Sequence, residues 1–278
     1  MNKSLSVIVP NYNNEKYIEQ CIHSILGQTY TPNEIIIVDD HSTDNSVSII
    51  DRLVRENNIV KTILLSENQG VSHARNVGLA AAQSEYVSFI DSDDYYYNKN
   101  KLRNEMGIIE NNDGRVIAYS KVYFVTENGE KSGVILPDNR KYLQGRIYNR
   151  LLTGRFRMET LARDYCVRKD FLLNVGGYNE DRNLYEDLEL MLKLAEKYEY
   201  RCTGEFGTAY RQTLNGLSKK SKEEHLRSKK EIFENQLQGK KRYYQLYLRM
   251  MRLEHIIVEG MQQLMYCMKD IVKRIIRW

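Results

Sequence analysis

The chain has 278 residues, is 42 % hydrophobic and 28 % charged, and carries a net charge of +4. This balance suits a folded globular chain and argues against disorder. No apolar run approaches the roughly eighteen residues that would read as a membrane-spanning helix. Charge is unevenly spread: residues 219–278 hold 15 Lys/Arg against 7 Asp/Glu, a balance of +8 that leaves residues 1–218 at −4. An acidic body with a basic tail suggests that the tail meets something anionic. Nucleic acid is not expected as that partner, because the basic residues accompany no nucleic-acid-binding motif. Cys21, Cys166, Cys202 and Cys267 are scattered without a C-x-x-C pair, which fits reduced thiols in a cytoplasmic protein. The chain opens into an apolar strand without a basic flank and apolar h-region, so no signal peptide is expected.

Leu5 to Val9 reads as a short apolar strand closed by Pro10, which lacks the N–H of a continuing ladder. Asn11-Tyr12-Asn13-Asn14 follows as a loop. A helix then places Ile18, Cys21, Ile22 and Ile25 on one face and stops near Gly27. Glu34 to Val38 is the second strand and ends in Asp39-Asp40-His41-Ser42-Thr43-Asp44. Thr43 or Asp44 caps the next helix, with Val47, Ile50, Leu53 and Val54 inward. A third strand over 59–65, the turn Glu67-Asn68-Gln69-Gly70 and a helix over 71–82 carrying Arg75 and Asn76 come next. Tyr86 to Ile90 is the fourth strand, and it runs straight into Asp91-Ser92-Asp93-Asp94.

Short apolar strands alternating with helices define a parallel, doubly wound α/β sheet. Such sheets bind ligands beyond the carboxyl ends of their strands. Pro10–Asn14, Asp39–Asp44 and Asp91–Asp94 all lie on that rim. Three carboxylates within four residues repel one another unless a cation sits among them, and oxygen ligands favour Mg²⁺ or Mn²⁺. The competing reading is an acidic turn that caps the next helix. No G-x-G-x-x-G and no G-x-x-x-x-G-K-[ST] is present, so a ligand bearing phosphates must be neutralised without a glycine cradle.

After Asp94 the pattern changes. A helix is expected over 101–109, followed by antiparallel strands over 116–125 and 133–136 around Glu127-Asn128-Gly129-Glu130. A basic helix is expected over 140–154, while residues 163–171 give no clear signal. Gly176-Gly177-Tyr178 is a turn whose backbone could approach a ligand closely. Glu186 and Asp187 begin a helix, where acids also favour the N-terminus for electrostatic reasons alone.

Taken in order, the motifs resemble those of the inverting family 2 glycosyltransferases with the GT-A fold, of the bacterial surface-glycan type. The residues that carry the resemblance are Ser6–Asn13, Ile36–Asp44, Asn68–Asn76, Phe89–Asp94, Gly176-Gly177-Tyr178 and Glu186-Asp187. The resemblance implies a mostly parallel nucleotide-binding half over 1–98 and a smaller, partly antiparallel acceptor half over 99–218. It implies that Pro10, Tyr12, Asn14, Asp39, Arg75, Asp91 and Ser92 face the nucleotide, with Tyr12 against the base and Asp39 accepting a uracil N–H. Asp93, with Asp91, would hold Mn²⁺ or Mg²⁺. Asp187 would be the general base and Glu186 its acceptor-side neighbour. Arg211, Ser218 and Gly177 would lie near the diphosphate or acceptor. Many members carry R-x-H where this chain has Arg211-Gln212-Thr213, so Thr213 stands in place of a His.

The implied reaction moves a sugar from a nucleotide-sugar donor, a UDP-sugar in the first instance, to a hydroxyl of a glycan or lipid-linked acceptor with inversion. A hexosyl or N-acetylhexosaminyl group is the expected cargo. An aspartate-nucleophile phosphatase, a nucleotidyltransferase and a non-catalytic scaffold are the alternatives. Residues 219–278 lie outside the motifs, as a charged helix over 219–238 and an apolar stripe from Leu246 to Ile275. The stripe has three readings: packing on the catalytic domain, lying on the inner membrane face, or joining two chains.

Overall fold

The computed structural model describes residues 3–130, 143–152, 164–182, 184–212 and 221–237. The first half is β1 (Leu5–Asn11), α1 (Ile18–Leu26), β2 (Glu34–Asp39), α2 (Ser46–Glu56), β3 (Val60–Leu64), α3 (Val71–Ala81) and β4 (Tyr86–Phe89). The second half adds β5 (Tyr95–Tyr96), α4 (Lys101–Glu110), β6 (Val116–Thr126), α5 (Tyr148–Leu152), β7 (Cys166–Arg168), α6 (Lys169–Leu173), α7 (Glu186–Lys197), β8 (Glu199–Gln212) and α8 (Lys222–Leu237). All eight strands form one sheet in the order β3-β2-β1-β4-β7-β6-β8-β5. The first four are parallel. β7 is antiparallel to both β4 and β6, and β5 is antiparallel to β8. The expected α/β architecture is therefore observed, and every antiparallel pairing involves a strand of the second half, where β6 and β8 are parallel.

The central parallel strands β1, β2 and β4 are buried on both faces, which explains their nearly continuous apolar runs. Leu5, Val7 and Val9 pack with α1, α2 and α4, whereas Ile8, Ile36 and Val38 pack with α3 and the helices of the second half. Gly78 lets α3 lie directly on β1, since a Cβ there would overlap Ile8. Strand order reverses between β1 and β4, and their carboxyl ends open the crevice that such sheets use for ligands.

Pro10 does not end the first strand. β1 continues to Asn11, with Pro10 in register opposite Val38. The Asn11 carbonyl accepts the Asp40 N–H on the β2 side, while the Ile8 carbonyl accepts the Ile90 N–H on the β4 side. Pro10, two residues from Ile8, therefore turns its missing donor toward β4, which has already ended at Phe89.

Of the basic helix expected over 140–154, the described residues 143–152 are helical only in α5. Gly145, at φ 76°, exchanges two backbone hydrogen bonds with Tyr200 instead. The expected strand over 133–136 and the stripe beyond 238 lie outside the described residues, as do Thr213 and Ser218. The charged helix is present as α8. Its first turn is a reciprocal capping box, in which the Glu224 N–H donates to Ser221 Oγ and the Ser221 N–H to Glu224 Oε2. Ile232, Phe233 and Leu237 of α8 are buried in the same cluster as Leu188, Met191 and Leu192 of α7.

Candidate active site

The rim carries the acids. Asp91, Asp93 and Asp94 each offer a carboxylate oxygen, and these oxygens lie within 4.8 Å of one another. An all-oxygen donor set of this size fits a hard divalent cation such as Mg²⁺ or Mn²⁺. Asn14 ties the loop after β1 to this turn, its Nδ2 donating to Ser92 Oγ at 2.8 Å. The Asn14 carbonyl also accepts the Tyr17 and Ile18 N–H groups, so the same residue starts α1.

Beside the acids is the end of β2. Asp39 is buried and accepts the Ser42 N–H, the Ser42 hydroxyl and Asn11 Nδ2, at 2.8, 2.7 and 2.7 Å. A carboxylate has about four lone-pair sites, so capacity for a further donor remains. Asn11 Oδ1 is buried and accepts no hydrogen bond. Nothing in Asn11-Tyr12-Asn13 distinguished it as a binding residue, because a buried acceptor without a partner is a property of packing. Tyr12 is 46 % exposed, an unusual position for so large a side chain. Asp40, also buried, accepts the Gln69 and Gly70 N–H groups at 2.8 Å each. It thereby holds the turn that launches α3.

α3 delivers Arg75, which is only 5 % exposed. Its Nη2 donates to Asp91 Oδ1 at 2.6 Å and its Nη1 to Glu186 Oε1 at 2.8 Å. Burial works against the charge of Arg75, but Asp91 and Glu186 outweigh it and hold the guanidinium well above its ordinary value. The Tyr178 ring lies 5.1 Å away, in cation–π contact. Burial pushes the Tyr178 phenol up, so it stays neutral beside these charges.

Glu186 and Asp187 open α7. The residue before them, Tyr185, has φ 62°, a conformation uncommon for a non-glycine residue. Lys229 and His225 of α8 brace the Tyr185 ring at 4.9 and 5.5 Å. Asp187 Oδ1 accepts the Leu188 N–H at 2.7 Å.

Two residues expected near the diphosphate or acceptor also meet other parts of the protein. Gly177 does make a close approach, but to Asn76: a Cβ would stand 2.8 Å from Asn76 Oδ1. Asn76 Oδ1 also accepts the Tyr178 N–H, and its Nδ2 donates to the Tyr178 carbonyl, both at 2.9 Å. Arg211 is buried, and its Nε, Nη1 and Nη2 all donate to protein acceptors.

Comparison with known proteins gives the family and the fold. The family model for glycosyl transferase family 2 matches residues 6–169, and the chain belongs to that family. Glycosyltransferase GlyG of Streptococcus pneumoniae is 44 % identical over 94 residues, 34 % of this chain and 31 % of GlyG. The putative teichuronic acid biosynthesis glycosyltransferase TuaG of Bacillus subtilis is 42 % identical over 102 residues, 37 % of this chain and 40 % of TuaG. The crystal structure of Staphylococcus aureus TarS 1–349 in complex with UDP-GlcNAc superposes with a TM-score of 0.63 at 26 % identity, covering 78 % of this chain and 61 % of that one. These matches span less than two thirds of each relative. The fold is that of the GT-A glycosyltransferases. Glu186 and Asp187 lie beyond the residues that the family model matches.

Proposed function

We propose that the chain transfers a sugar from a UDP-sugar to an acceptor hydroxyl, with inversion and with dependence on a divalent metal. The observation that carries this reading is the Asp91–Arg75–Glu186 bridge, which ties the start of α7 to the acid loop. A metal-binding loop and a carboxylate pair from distant parts of the chain then share one crevice.

The base lies against Tyr12, where stacking is worth about 1–3 kcal/mol. Asp39 accepts its N–H, and the unpartnered Asn11 Oδ1 is a second acceptor on the same side. Asp93 would hold the cation, with Asp91 and Asp94 beside it. A divalent ion there would supply positive charge to a departing diphosphate. Glu186 is committed to Arg75, which leaves Asp187 to take the proton from the attacking hydroxyl. General-base help of this kind is typically worth about 10²–10⁴-fold. Attack from the face opposite the leaving group inverts the anomeric carbon.

The setting we infer is assembly of a bacterial surface glycan. It is supported by the relatives TuaG and TarS, the latter described as a poly(ribitol-phosphate) β-N-acetylglucosaminyltransferase. A hexosyl or N-acetylhexosaminyl donor and a glycan or lipid-linked acceptor suit that setting. So does a cytoplasmic chain whose basic tail rests on the inner membrane face. Among the described residues no helix is long and apolar enough to cross a membrane.

A panel of sugar nucleotides, scored for metal-dependent release of the nucleoside diphosphate, tests the reading. One UDP-sugar should be hydrolysed with Mn²⁺ or Mg²⁺ and spared in a chelator. Equal release with and without metal would remove the cation from the mechanism.

A further inference from the structure

Arg211 stands one residue before the end of β8 and is 4 % exposed. Its main-chain N–H donates to Asp94 Oδ1 at 2.7 Å, and its Nε donates to the Asp93 carbonyl at 2.8 Å. Nη1 donates to the Glu127 carbonyl at 2.6 Å and Nη2 to Gln20 Oε1 at 2.7 Å. The guanidinium also lies 4.5 Å from the Tyr17 ring and 5.6 Å from the Tyr95 ring. Tyr17 in turn donates its hydroxyl to Glu127 Oε1 at 3.0 Å.

We infer that Arg211 is a positioning residue, which sets the Asp93–Asp94 turn from behind and does not itself touch the diphosphate. This rests on the reading of that turn as a cation site. The argument is first one of donors. A guanidinium that grips a phosphate needs its planar fork turned to the ligand. Here each of the three guanidinium nitrogens already has a protein acceptor, and aromatic rings lie against the group.

The second argument is one of charge. Three carboxylates close together oppose one another. Arg75 offsets that repulsion at Asp91 through an ion pair. At the other end the Arg211 guanidinium holds the Asp93 carbonyl and its main-chain N–H holds the Asp94 carboxylate, so the turn is fixed from both sides. Gln20 on α1 and Glu127 in the turn after β6 fix Arg211 in its place. The same contacts therefore join the acid turn to three other parts of the fold.

The test measures Mn²⁺ binding to the full chain by loss of the free-ion electron paramagnetic resonance signal, with UDP and without nucleotide. Loss of a group that orients metal ligands typically weakens metal affinity by about 10–100-fold. Arg211→Met should show that loss in both conditions. Arg211→Lys keeps the charge but not the fork, and should recover less than half of it on a logarithmic scale. Gln20→Ala removes one hydrogen bond at an exposed residue and should weaken Mn²⁺ by about 2- to 10-fold with an unchanged Tm. A folded Arg211→Met chain with wild-type Mn²⁺ affinity overturns the inference. If Arg211→Met does not fold, wild-type affinity in Gln20→Ala overturns it. A loss confined to the UDP condition makes Arg211 a diphosphate ligand and also overturns it. A wild-type chain that takes up no Mn²⁺ at all overturns the metal reading itself, and this inference with it.

Discussion

Arg75 and Glu186 are 111 residues apart in the sequence and 2.8 Å apart in the fold. The same guanidinium reaches Asp91 at 2.6 Å. One buried side chain on α3 thus sets the distance between the acid loop after β4 and the carboxylates that open α7. A bidentate group is suited to this work because its planar fork fixes direction as well as separation.

Removing that guanidinium leaves two carboxylates facing each other with little solvent to separate them. Breaking a buried pair in this way typically costs about 3–5 kcal/mol. Arg75→Met should lower stability by that order in urea unfolding at neutral pH. Arg75→Lys should recover part of the stability, since an ammonium restores charge but cannot hold both carboxylates in one plane. If Arg75→Met unfolds with the wild-type midpoint and slope, the bridge is not a stabilising element.

Asp187 and Asp93 should fail in different ways. Asp93→Ala should abolish the rise in Tm that UDP and Mn²⁺ produce together, because it removes an oxygen ligand. Asp187→Asn should keep that rise and lose transfer by about 10²–10⁴-fold. The separation between binding and turnover is the decisive readout. A normal rate in Asp187→Asn would move the base elsewhere, and Glu186 would then be examined by Glu186→Gln.

The parallel half of the fold was legible because β1, β2 and β4 are buried along their whole length and are therefore mostly apolar. Ile35, Ile36 and Ile37 leave little room for another reading. β8 was not legible, since Arg201, Glu205, Gly204 and Gly207 interrupt any alternation of apolar residues. Its order comes from pairing with β6, which is a long-range property. Gly207 is needed there because a Cβ would meet Ser120 and Lys101. At the rim, residue type drew attention to the acid loop, whose Asp91, Asp93 and Asp94 do lie together, but not to the partners around it. Arg211 and Gly177 read as ligand-facing groups, and both meet other parts of the protein. Asn76 stood out only as part of a motif, and Gln20 not at all, because which residues they meet is a property of the fold.

Acid should loosen the sheet through Glu34. Burial pushes its carboxyl up, but Lys61, the Gln83 N–H and the Ser6 hydroxyl together hold it below its ordinary value. Lys61 Nζ lies at 2.6 Å, and the other two at 2.7 Å each. A depressed folded-state pKa stabilises the protein at pH above the ordinary Glu value. That contribution is lost as pH falls through the folded-state pKa. Glu34→Gln should therefore be less stable than the parent near neutrality and show a flatter decline in acid. Parallel stability curves for the two chains between neutrality and mild acid would assign the acid response to other carboxylates.

Gly177 offers a test of how the turn before α7 is held. Its φ of 66° is unfavourable for any residue with a Cβ, and such strain costs on the order of 1–3 kcal/mol. Alanine there also crowds Asn76 Oδ1, which cannot swing away without releasing the Tyr178 N–H. Asn76 is held further by Glu180, which accepts from its Nδ2 at 2.7 Å. Gly177→Ala should thus destabilise through two separable effects. Asn76→Ala removes the crowding and the three amide bonds but leaves the backbone strain. The double variant should be less damaged than the sum of the two single ones, because the crowding is counted only once. Strict additivity of the unfolding free energies would mean that the backbone conformation alone demands glycine. A Gly177→Ala chain as stable as the parent would mean that neither effect operates and that the turn relaxes without penalty.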